Sequence, residues 1–158
     1  MGGKRDAQTA LFFQAVYEQK QQEIKMTEAM KKLLENLSGK MKLGIVTNGP
    51  TQHQWDKVNA LGVEQWIPKE HILISGEIGI AKPDTGIFAA ELGRLDLQKE
   101  DVCYVGDSFE NDIVGAKGAG WKAVWYNHRG HQATEEVMPD YIVKSEDELI
   151  TLLESGNL

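Results

Sequence analysis

The chain has 158 residues, a length that fits one compact domain. Apolar residues make up 41% of it and charged residues 26%, which is typical of a folded domain and excludes disordered, collagen-like and coiled-coil chains. The net charge is −7, from 24 acidic and 17 basic residues. Because the sequence also lacks a basic block, we expect no nucleic-acid polymer as a partner.

Membrane insertion and secretion are not expected either. No apolar run approaches the roughly 20 residues that cross a bilayer, and the first residues lack the apolar stretch of a secretory signal. Cys103 is the one cysteine, which excludes an internal disulfide and agrees with a reducing compartment. The sequence therefore predicts a cytoplasmic protein with no membrane partner. Cys103 and the tryptophans are interpreted as packing residues.

The front of the chain is rich in helix formers and has no glycine or proline between residues 9 and 26. Its apolar positions keep helical spacing only in part, but the composition still predicts a helix over 9–26. A second helix is predicted over 27–37, because its apolar residues fall on one stripe. These helices form a proposed helical segment, residues 1–38, ahead of a core of residues 39–158.

From residue 41 onwards, short apolar runs alternate with helical patterns. The predicted strands are 41–46, 71–75, 102–105, 122–126 and 141–143, and the predicted helices are 51–61, the segment after Asp84, 111–119 and the segment after Ser145. Thr51 with Gln54, and Ser145 with Glu148, are predicted capping boxes. Such alternation predicts a mostly parallel sheet with helices on both faces, and chemistry at the carboxyl ends of the strands.

Two predicted strand ends carry groups that suit an anion. Thr47, Asn48 and Gly49 offer a hydroxyl, an amide and a backbone N–H, which together can cradle a phosphate; an ordinary strand-to-helix turn is the alternative. Lys82 precedes Pro83 and is therefore held extended, where its ammonium can face a phosphate or a carboxylate. A solvated surface lysine is the alternative for that position.

A pair of carboxylates follows the predicted strand 102–105. Asp107 stands at the strand end, and Asp112 stands five positions later at the start of the next helix. Two carboxylates so placed can share Mg²⁺, which binds through a few carboxylates, waters and substrate phosphates. Zinc is disfavoured because the chain has no cluster of cysteine and histidine. The alternative is structural, a strand end and a helix N-terminus that favours acids.

Together these groups form an ordered set. Thr47, Lys82 and the segment 107–112, each at a different predicted strand end, resemble the second, third and fourth motifs of the haloacid dehalogenase (HAD) superfamily of aspartate-nucleophile phosphohydrolases. The resemblance covers residues 41–128, and the stretch ISGEIGIAKPDTGIF at 74–88 is similar to the nucleotidase-like members. It implies an α/β fold, a Rossmann-like three-layer parallel sheet of the HAD type.

The resemblance also implies a role for each residue. Lys82 would be catalytic, bridging the phosphoryl group and the nucleophile, and Asp107 and Asp112 would hold the cofactor Mg²⁺. The implied phosphate-binding residues are Thr47, Asn48 and Gly49. In this arrangement the lysine and the metal offset the charge on the transferring phosphoryl oxygens.

The first motif of that superfamily is not found here. It is a strand ending in Asp-x-Asp-x-Thr, whose first aspartate attacks phosphorus, whereas the only aspartate before Thr47 is Asp6, with Gln8 in place of the second acid. We therefore expect an N-terminally truncated fold that lacks the motif-one strand and most of the cap, with residues 1–38 as a cap remnant.

The loss of that strand would have a structural consequence. In the superfamily it lies between the strands that end at Thr47 and Asp107, so two inner strand edges would be left unpaired. Three arrangements would resolve this: the two strands pair directly, another chain covers them in a homo-oligomer, or the sequence is a fragment of a longer product.

The implied function is Mg²⁺-dependent hydrolysis of a small phosphomonoester, such as a nucleoside monophosphate, by the full-length form, with the chain as given inactive. The alternative is a non-catalytic phosphate- or metal-binding or assembly module of the same fold. A receiver-type signalling domain is disfavoured, because there the aspartate precedes the lysine, whereas Lys82 here precedes Asp107. The loop 128–131 is interpreted as solvated surface.

Overall fold

Short apolar segments pair into a six-stranded sheet in the computed structural model, which describes residues 10–14, 18–20, 23–156 and 158. Every pairing in this sheet is parallel, and the strand order is β5-β4-β1-β6-β7-β8. The strands are β1 (Ala10–Phe13), β2 (Glu18–Lys20), β3 (Glu23–Lys25), β4 (Lys42–Thr47), β5 (Ile72–Ile74), β6 (Val102–Gly106), β7 (Lys122–Tyr126) and β8 (Tyr141–Val143). Strands β2 and β3 form a separate antiparallel pair.

Helices connect the strands and cover both faces of the sheet. They are α1 (Glu28–Ser38), α2 (Thr51–Leu61), α3 (Ser75–Ile78), α4 (Thr85–Leu95), α5 (Gly115–Gly118) and α6 (Glu146–Ser155), and a π-helical turn, Phe109–Val114, leads into α5. Side-chain caps begin three of them: Thr27, Asp84 and Ser145 each accept a hydrogen bond from a backbone N–H in the first turn. Among the described residues, none of the helices has the length and apolar character needed to span a bilayer.

The strand β1 corrects the prediction of a helix over 9–26. All four of its residues are fully buried, and they pair with β4 on one side and β6 on the other. The physical reason is that four consecutive apolar residues bury both faces of a strand, whereas a helix would turn part of the run towards water. The rest of the predicted helix includes the β2–β3 pair, and Val16 and Tyr17 lie outside the described residues.

The expectation of two unpaired inner strand edges is therefore wrong. The place between β4 and β6, where the superfamily's motif-one strand lies, is filled by β1 of the same chain. Gly44 makes this packing possible, because a Cβ at this position would lie 2.3 Å from Cε1 of the Phe12 ring. The central strand is thus present, while the candidate nucleophile Asp6 and its neighbour Gln8 lie outside the described residues.

Two hydrophobic cores lie on opposite faces of the sheet. One is built by α1, α2 and α6 against residues such as Leu11 and Phe13, and the other by α4, the π turn and α5 against Phe12. The alternation of Leu11, Phe12 and Phe13 between the two faces follows from the two-residue period of a strand. The predicted α/β fold, with three layers around a parallel sheet, is confirmed in this arrangement.

Most element predictions after residue 27 are confirmed within one or two residues, and the cysteine and tryptophans do pack: Cys103 and Trp121 are buried. One capping box is wrong. Pro50 precedes the first turn of α2 without a side-chain cap, and the Gln54 amide donates to the Thr47 hydroxyl (2.8 Å) instead. The division of the chain at residue 38 stays a prediction.

Candidate active site

Several strand ends meet at one edge of the sheet, as parallel strands require. Thr47 ends β4, Gln14 directly follows β1, and Asp107 directly follows β6. Lys82 reaches this edge from the segment between α3 and α4, and its side chain is buried. The predicted site residues from three separate segments therefore come together in the fold, around one buried ammonium group.

The Lys82 ammonium has three side-chain partners. It donates to Asp112 Oδ1 (2.7 Å), to the Tyr104 hydroxyl (2.8 Å) and to Gln14 Oε1. The Tyr104 hydroxyl in turn donates to the Val46 carbonyl (2.6 Å). Three acceptors satisfy the three N–H groups of the ammonium, so the lysine is fixed in place rather than solvated.

Asn48 holds the backbone of Lys82. Its Nδ2 donates to the Lys82 carbonyl (3.0 Å), and its Oδ1 accepts from the Lys82 N–H (2.9 Å). The neighbouring Gly49 donates its N–H to Ser75 Oγ (2.9 Å). These two residues therefore use their polar groups to position the lysine segment and the start of α3, and their predicted role in phosphate binding stays a prediction.

The Thr47 hydroxyl has one hydrogen-bond donor among the described residues. The Thr47 oxygen accepts from the Gln54 amide, which orients the hydroxyl and leaves its own hydrogen to donate. A cavity of about 20 Å³, lined in part by Gln14, Thr47 and Gln54, adjoins it. This volume is close to the space that a single water molecule needs.

The two predicted metal ligands differ in their surroundings. Asp112 is fully buried, and its Oδ2 accepts the Ser108 N–H (3.0 Å) while its Oδ1 faces Lys82. Gly106 permits this position, because a Cβ there would lie 2.4 Å from the Asp112 carboxyl carbon. The Asp107 side chain is about one-third exposed, with 32% of its surface open to solvent. One carboxylate is thus fixed in the protein and the other faces solvent.

These carboxylates suit Mg²⁺ by their chemistry. Within the described segments no group of three or more histidine, cysteine, aspartate or glutamate side chains is placed to hold a metal. Mg²⁺ needs fewer protein ligands than that, since it keeps several waters and binds through one or two carboxylates plus a substrate phosphate. Asp107 and Asp112 would be those ligands, and a bound Mg²⁺ would offset negative charge on phosphoryl oxygens.

Burial shifts the ionisation of two groups at the centre. It lowers the pKa of the Lys82 ammonium below its ordinary value, and the adjacent Asp112 carboxylate opposes that shift. Burial also raises the pKa of the Tyr104 hydroxyl, and the nearby carboxylates Asp112 and Asp107 raise it further. Tyr104 therefore stays protonated and remains a hydrogen-bond donor to the backbone of β4.

Sequence reasoning missed several residues of this site. Gln14 and Tyr104 were not singled out. The loop 128–131 is exposed, as interpreted, but two of its members also contact Asp107. Arg129 donates to Asp107 Oδ2 (2.9 Å), and Nε2 of His128 lies 3.5 Å from the same oxygen. The signal that could have identified these two residues is their position in the fold. Their loop follows β7, and β7 is the neighbour of β6, the strand that precedes Asp107.

Known proteins share sequence with most of this chain. Residues 2–126 match the family described as haloacid dehalogenase-like hydrolase. The chain is 36% identical over 136 residues to the N-acylneuraminate-9-phosphatase of Rattus norvegicus, covering 85% of this chain and 54% of that protein. It is 34% identical over 122 residues to the pyrimidine 5'-nucleotidase YjjG of Escherichia coli, covering 77% of this chain and 53% of that protein.

A solved structure shows the same fold. The HAD-hydrolase YfnB from Bacillus subtilis, described as bound to magnesium, superposes with a TM-score of 0.72 at 27% identity, covering 80% of this chain and 55% of that one. The chain thus spans about half the length of the curated relatives it matches. The family match over residues 2–126, more than half of the chain, shows that the chain belongs to the haloacid dehalogenase-like hydrolase family.

Proposed function

We propose that this chain is the magnesium- and phosphate-binding core of a small-phosphomonoester hydrolase, and that the 158-residue chain does not itself turn over such esters. One observation carries the proposal. The residue that directly follows the central strand β1 and faces the Lys82 ammonium is Gln14, a neutral amide.

The chemistry of that position explains the expected inactivity. In the superfamily that this chain resembles, the strand between those ending at Thr47 and Asp107 carries the attacking aspartate. A carboxylate can attack phosphorus and form an acyl phosphate, whereas an amide has no charged oxygen with which to do so. The remaining groups would still favour a bound phosphate: Thr47 as a hydroxyl donor, Mg²⁺ on the phosphoryl oxygens, and Lys82 through its positive charge, since its three N–H groups already have acceptors.

A full-length form would restore hydrolysis. We infer that this chain is part of a longer protein. In that protein a different strand, ending in Asp-x-Asp, would hold the position between β4 and β6 that β1 has here, and Mg²⁺ would bind at Asp107 and Asp112. Relatives named as phosphatases and as a nucleotidase, each about twice as long as the matched segment, support this proposal. A nucleoside monophosphate is the proposed substrate, supported by the nucleotidase relative and by the stretch at 74–88.

The second candidate function is a non-catalytic phosphate- or metal-binding or assembly module. The observation that favours it is again Gln14, because a module without a nucleophile can bind but not hydrolyse. The two candidate functions differ in the catalytic activity that they predict for a longer form. The first predicts that the full-length protein hydrolyses phosphomonoesters, and the second predicts no hydrolysis by any form.

Partners and location are also proposals. A small phosphorylated molecule is the proposed ligand, with no nucleic-acid polymer and no membrane. A single cysteine, which cannot form an internal disulfide, supports the proposed reducing, cytoplasmic location. Self-association is proposed for the outer edge strand β8, where Ile142 is about half exposed.

The test compares binding with turnover. Purified chain is titrated with Mg²⁺ and inorganic phosphate by calorimetry, and its Mg²⁺-dependent hydrolysis of p-nitrophenyl phosphate is measured in parallel. We expect weak binding of both ions, lost in Asp107→Ala, and no turnover above background. Clear Mg²⁺-dependent turnover that disappears in Asp107→Ala would overturn the proposed inactivity, and absence of any Mg²⁺ or phosphate binding would overturn the proposed binding core.

A further inference from the structure

The Asp107 carboxylate already has a cationic partner within the chain. The Arg129 guanidinium donates to Asp107 Oδ2 at 2.9 Å, and His128 Nε2 lies 3.5 Å from the same oxygen. Both side chains come from the loop after β7. The partly exposed Asp107 carboxylate is therefore paired with a positive charge from this loop.

The loop that carries these groups is internally braced. Asn127 and His131 exchange hydrogen bonds, Nδ2 to the His131 carbonyl at 3.0 Å and the His131 N–H to Oδ1 at 2.9 Å. Gly130 turns the loop with a φ of 67°, a left-handed conformation that suits glycine. The His128 ring stacks on Tyr126 with 4.6 Å between ring centroids. These contacts hold Arg129 in place beside Asp107.

A further hydrogen bond joins β7, the strand before this loop, to Asp107. Trp125, in β7, donates its indole N–H to the Asp107 backbone carbonyl at 3.1 Å. Asp107 is thus held by β7 through its backbone and by the following loop through its side chain. The indole next to Asp107 also provides an intrinsic fluorescence probe of events at this residue.

Two cations that share one carboxylate oxygen repel each other. A divalent cation at the Asp107 carboxylate therefore repels the Arg129 guanidinium and weakens that contact, and it breaks the contact where both cations need Oδ2. In either case the contact with Arg129 opposes metal binding. The Arg129 side chain is about half exposed, so a released guanidinium can be solvated. The contact can consequently open without unfolding the loop.

We propose that Arg129 is an intramolecular competitor of Mg²⁺ for Asp107, bonded to the carboxylate in the metal-free state and released when the metal binds. This inference rests on the proposed function, because it assumes that Asp107 is a metal ligand. It assigns to the loop after β7 a control of metal occupancy that is separate from the phosphate-binding turn at Thr47.

The first measurement is Mg²⁺ affinity, by calorimetry and by Trp fluorescence, for the full chain and for Arg129→Gln. Removing the competitor should tighten Mg²⁺ binding roughly two- to fivefold, the upper part of the range expected for loss of a partly exposed ion pair next to the site. Lys144→Gln is the matched control: it removes one positive charge after β8, at the same edge of the sheet, from an exposed side chain two strands away from Asp107. It should change the affinity less than about twofold, because salt screens distant surface charges.

The second measurement follows the guanidinium itself. The chain is treated with phenylglyoxal, with and without Mg²⁺, and modification is quantified at each arginine by mass spectrometry. Mg²⁺ should increase modification at Arg129 and leave Arg94 unchanged, since Arg94 is bonded to the Ile72 carbonyl and Glu91 and lies on α4. Arg94 is thus an internal reference in the same digest.

The outcomes separate this inference from the proposed function. Equal Mg²⁺ affinity in Arg129→Gln and the unaltered chain, with no change in Arg129 reactivity, would overturn the competitor role and leave the metal site standing. An equal gain in Arg129→Gln and Lys144→Gln would also overturn it, since only the general charge would then matter. If neither the chain nor Arg129→Gln binds Mg²⁺, both the inference and the metal part of the proposed function fail.

Discussion

Lys82 Nζ lies 2.7 Å from Asp112 Oδ1, and both side chains are almost completely buried, at 2% and 1% exposure. This ion pair joins the segment before α4 to the π turn after β6, two parts of the chain that are 30 residues apart. It holds the charged centre of the site together in a place where neither partner reaches water. Each partner therefore compensates the free-energy cost of burying the charge of the other.

The pair should be strongly coupled in stability. Replacing one partner leaves an uncompensated buried charge, so Lys82→Met or Asp112→Asn alone should cost about 3–5 kcal/mol in the free energy of unfolding. The double variant should cost clearly less than the sum of the two. Urea unfolding of the four proteins gives the coupling free energy, and additivity within about 0.5 kcal/mol would contradict the pairing.

A second prediction concerns Gln14. If this residue occupies the nucleophile position, Gln14→Asp should allow beryllium fluoride with Mg²⁺ to bind as a mimic of a phosphorylated carboxylate. We expect these ions to raise the Tm of Gln14→Asp by several degrees, since ligand binding to the native state stabilises it in proportion to occupancy. The shift is measured by differential scanning fluorimetry.

Gln14→Asn is the matched control for that experiment. It has the same side-chain length as the aspartate variant but no charge, so the ions should leave its Tm unchanged, as in the unaltered chain. An equal shift in both variants would show that beryllium fluoride binds elsewhere, and no shift in Gln14→Asp would mean that residue 14 is not placed for attack on phosphorus.

A third prediction concerns a carboxyl group away from the site. Glu91, on α4, is fully buried; its Oε2 has no hydrogen-bond partner among the described residues, and its Oε1 is 3.4 Å from Arg94. Burial raises the pKa of this carboxyl to about 8, with Arg94 acting against the shift and Glu77 adding to it. At neutral pH the Glu91 carboxyl is therefore mostly protonated in the folded chain.

The sign of the pH effect follows from that shift. A carboxyl whose pKa is raised in the folded state binds its proton more tightly there than in the unfolded chain. The contribution of Glu91 to the free energy of unfolding is therefore greatest below about pH 4.5, the ordinary pKa, and it falls as the pH rises towards about 8. The loss is on the order of 1.4 kcal/mol for each pKa unit. Glu91→Gln should abolish this slope in unfolding free energy, measured by urea titration between pH 5 and about pH 9.

Glu136→Gln tests whether the slope belongs to Glu91. Glu136 is exposed in the loop between β7 and β8, so its removal should leave the pH dependence of stability as it was. A slope that persists unchanged in Glu91→Gln would assign it to another group.

The parts of the fold that the sequence predicted are those with strong local signals. The cap at Asp84, the apolar run of β6 and the glycine that ends α2 each depend on a few neighbouring residues, and the position of Asp107 directly after β6 followed from them. Lys82 was also predicted at a strand end, but in the structure α3 lies between β5 and Lys82. The gathering of these residues at one edge then follows from the parallel pairing of the strands.

What could not be predicted depends on contacts between distant segments. The run Ala10–Phe13 becomes a strand because β4 and β6 flank it, and a glycine at position 44 leaves room for Phe12. Helix formers after the run outweighed this signal in a local interpretation. Likewise Arg129 lies in a polar loop with no motif, and only the order of β6 and β7 in the sheet brings it to Asp107.

The last prediction concerns Gly106, which has almost no free space at its α-carbon. A Cβ there would meet the Asp112 Cβ, carboxyl carbon and Oδ2, all at 2.4 Å, so Gly106→Ala must displace the buried carboxylate that pairs with Lys82. We expect a loss of about 1–3 kcal/mol in unfolding free energy, the usual cost of overpacking, together with weaker Mg²⁺ binding. Gly93→Ala, in the exposed interior of α4 with open space around it, is the control and should stabilise by about 0.5–1 kcal/mol through helix propensity. Urea unfolding and Mg²⁺ titration of both variants decide the point: if Gly106→Ala retains full stability and metal affinity, then the close approach of Asp112 to the end of β6 does not position the site.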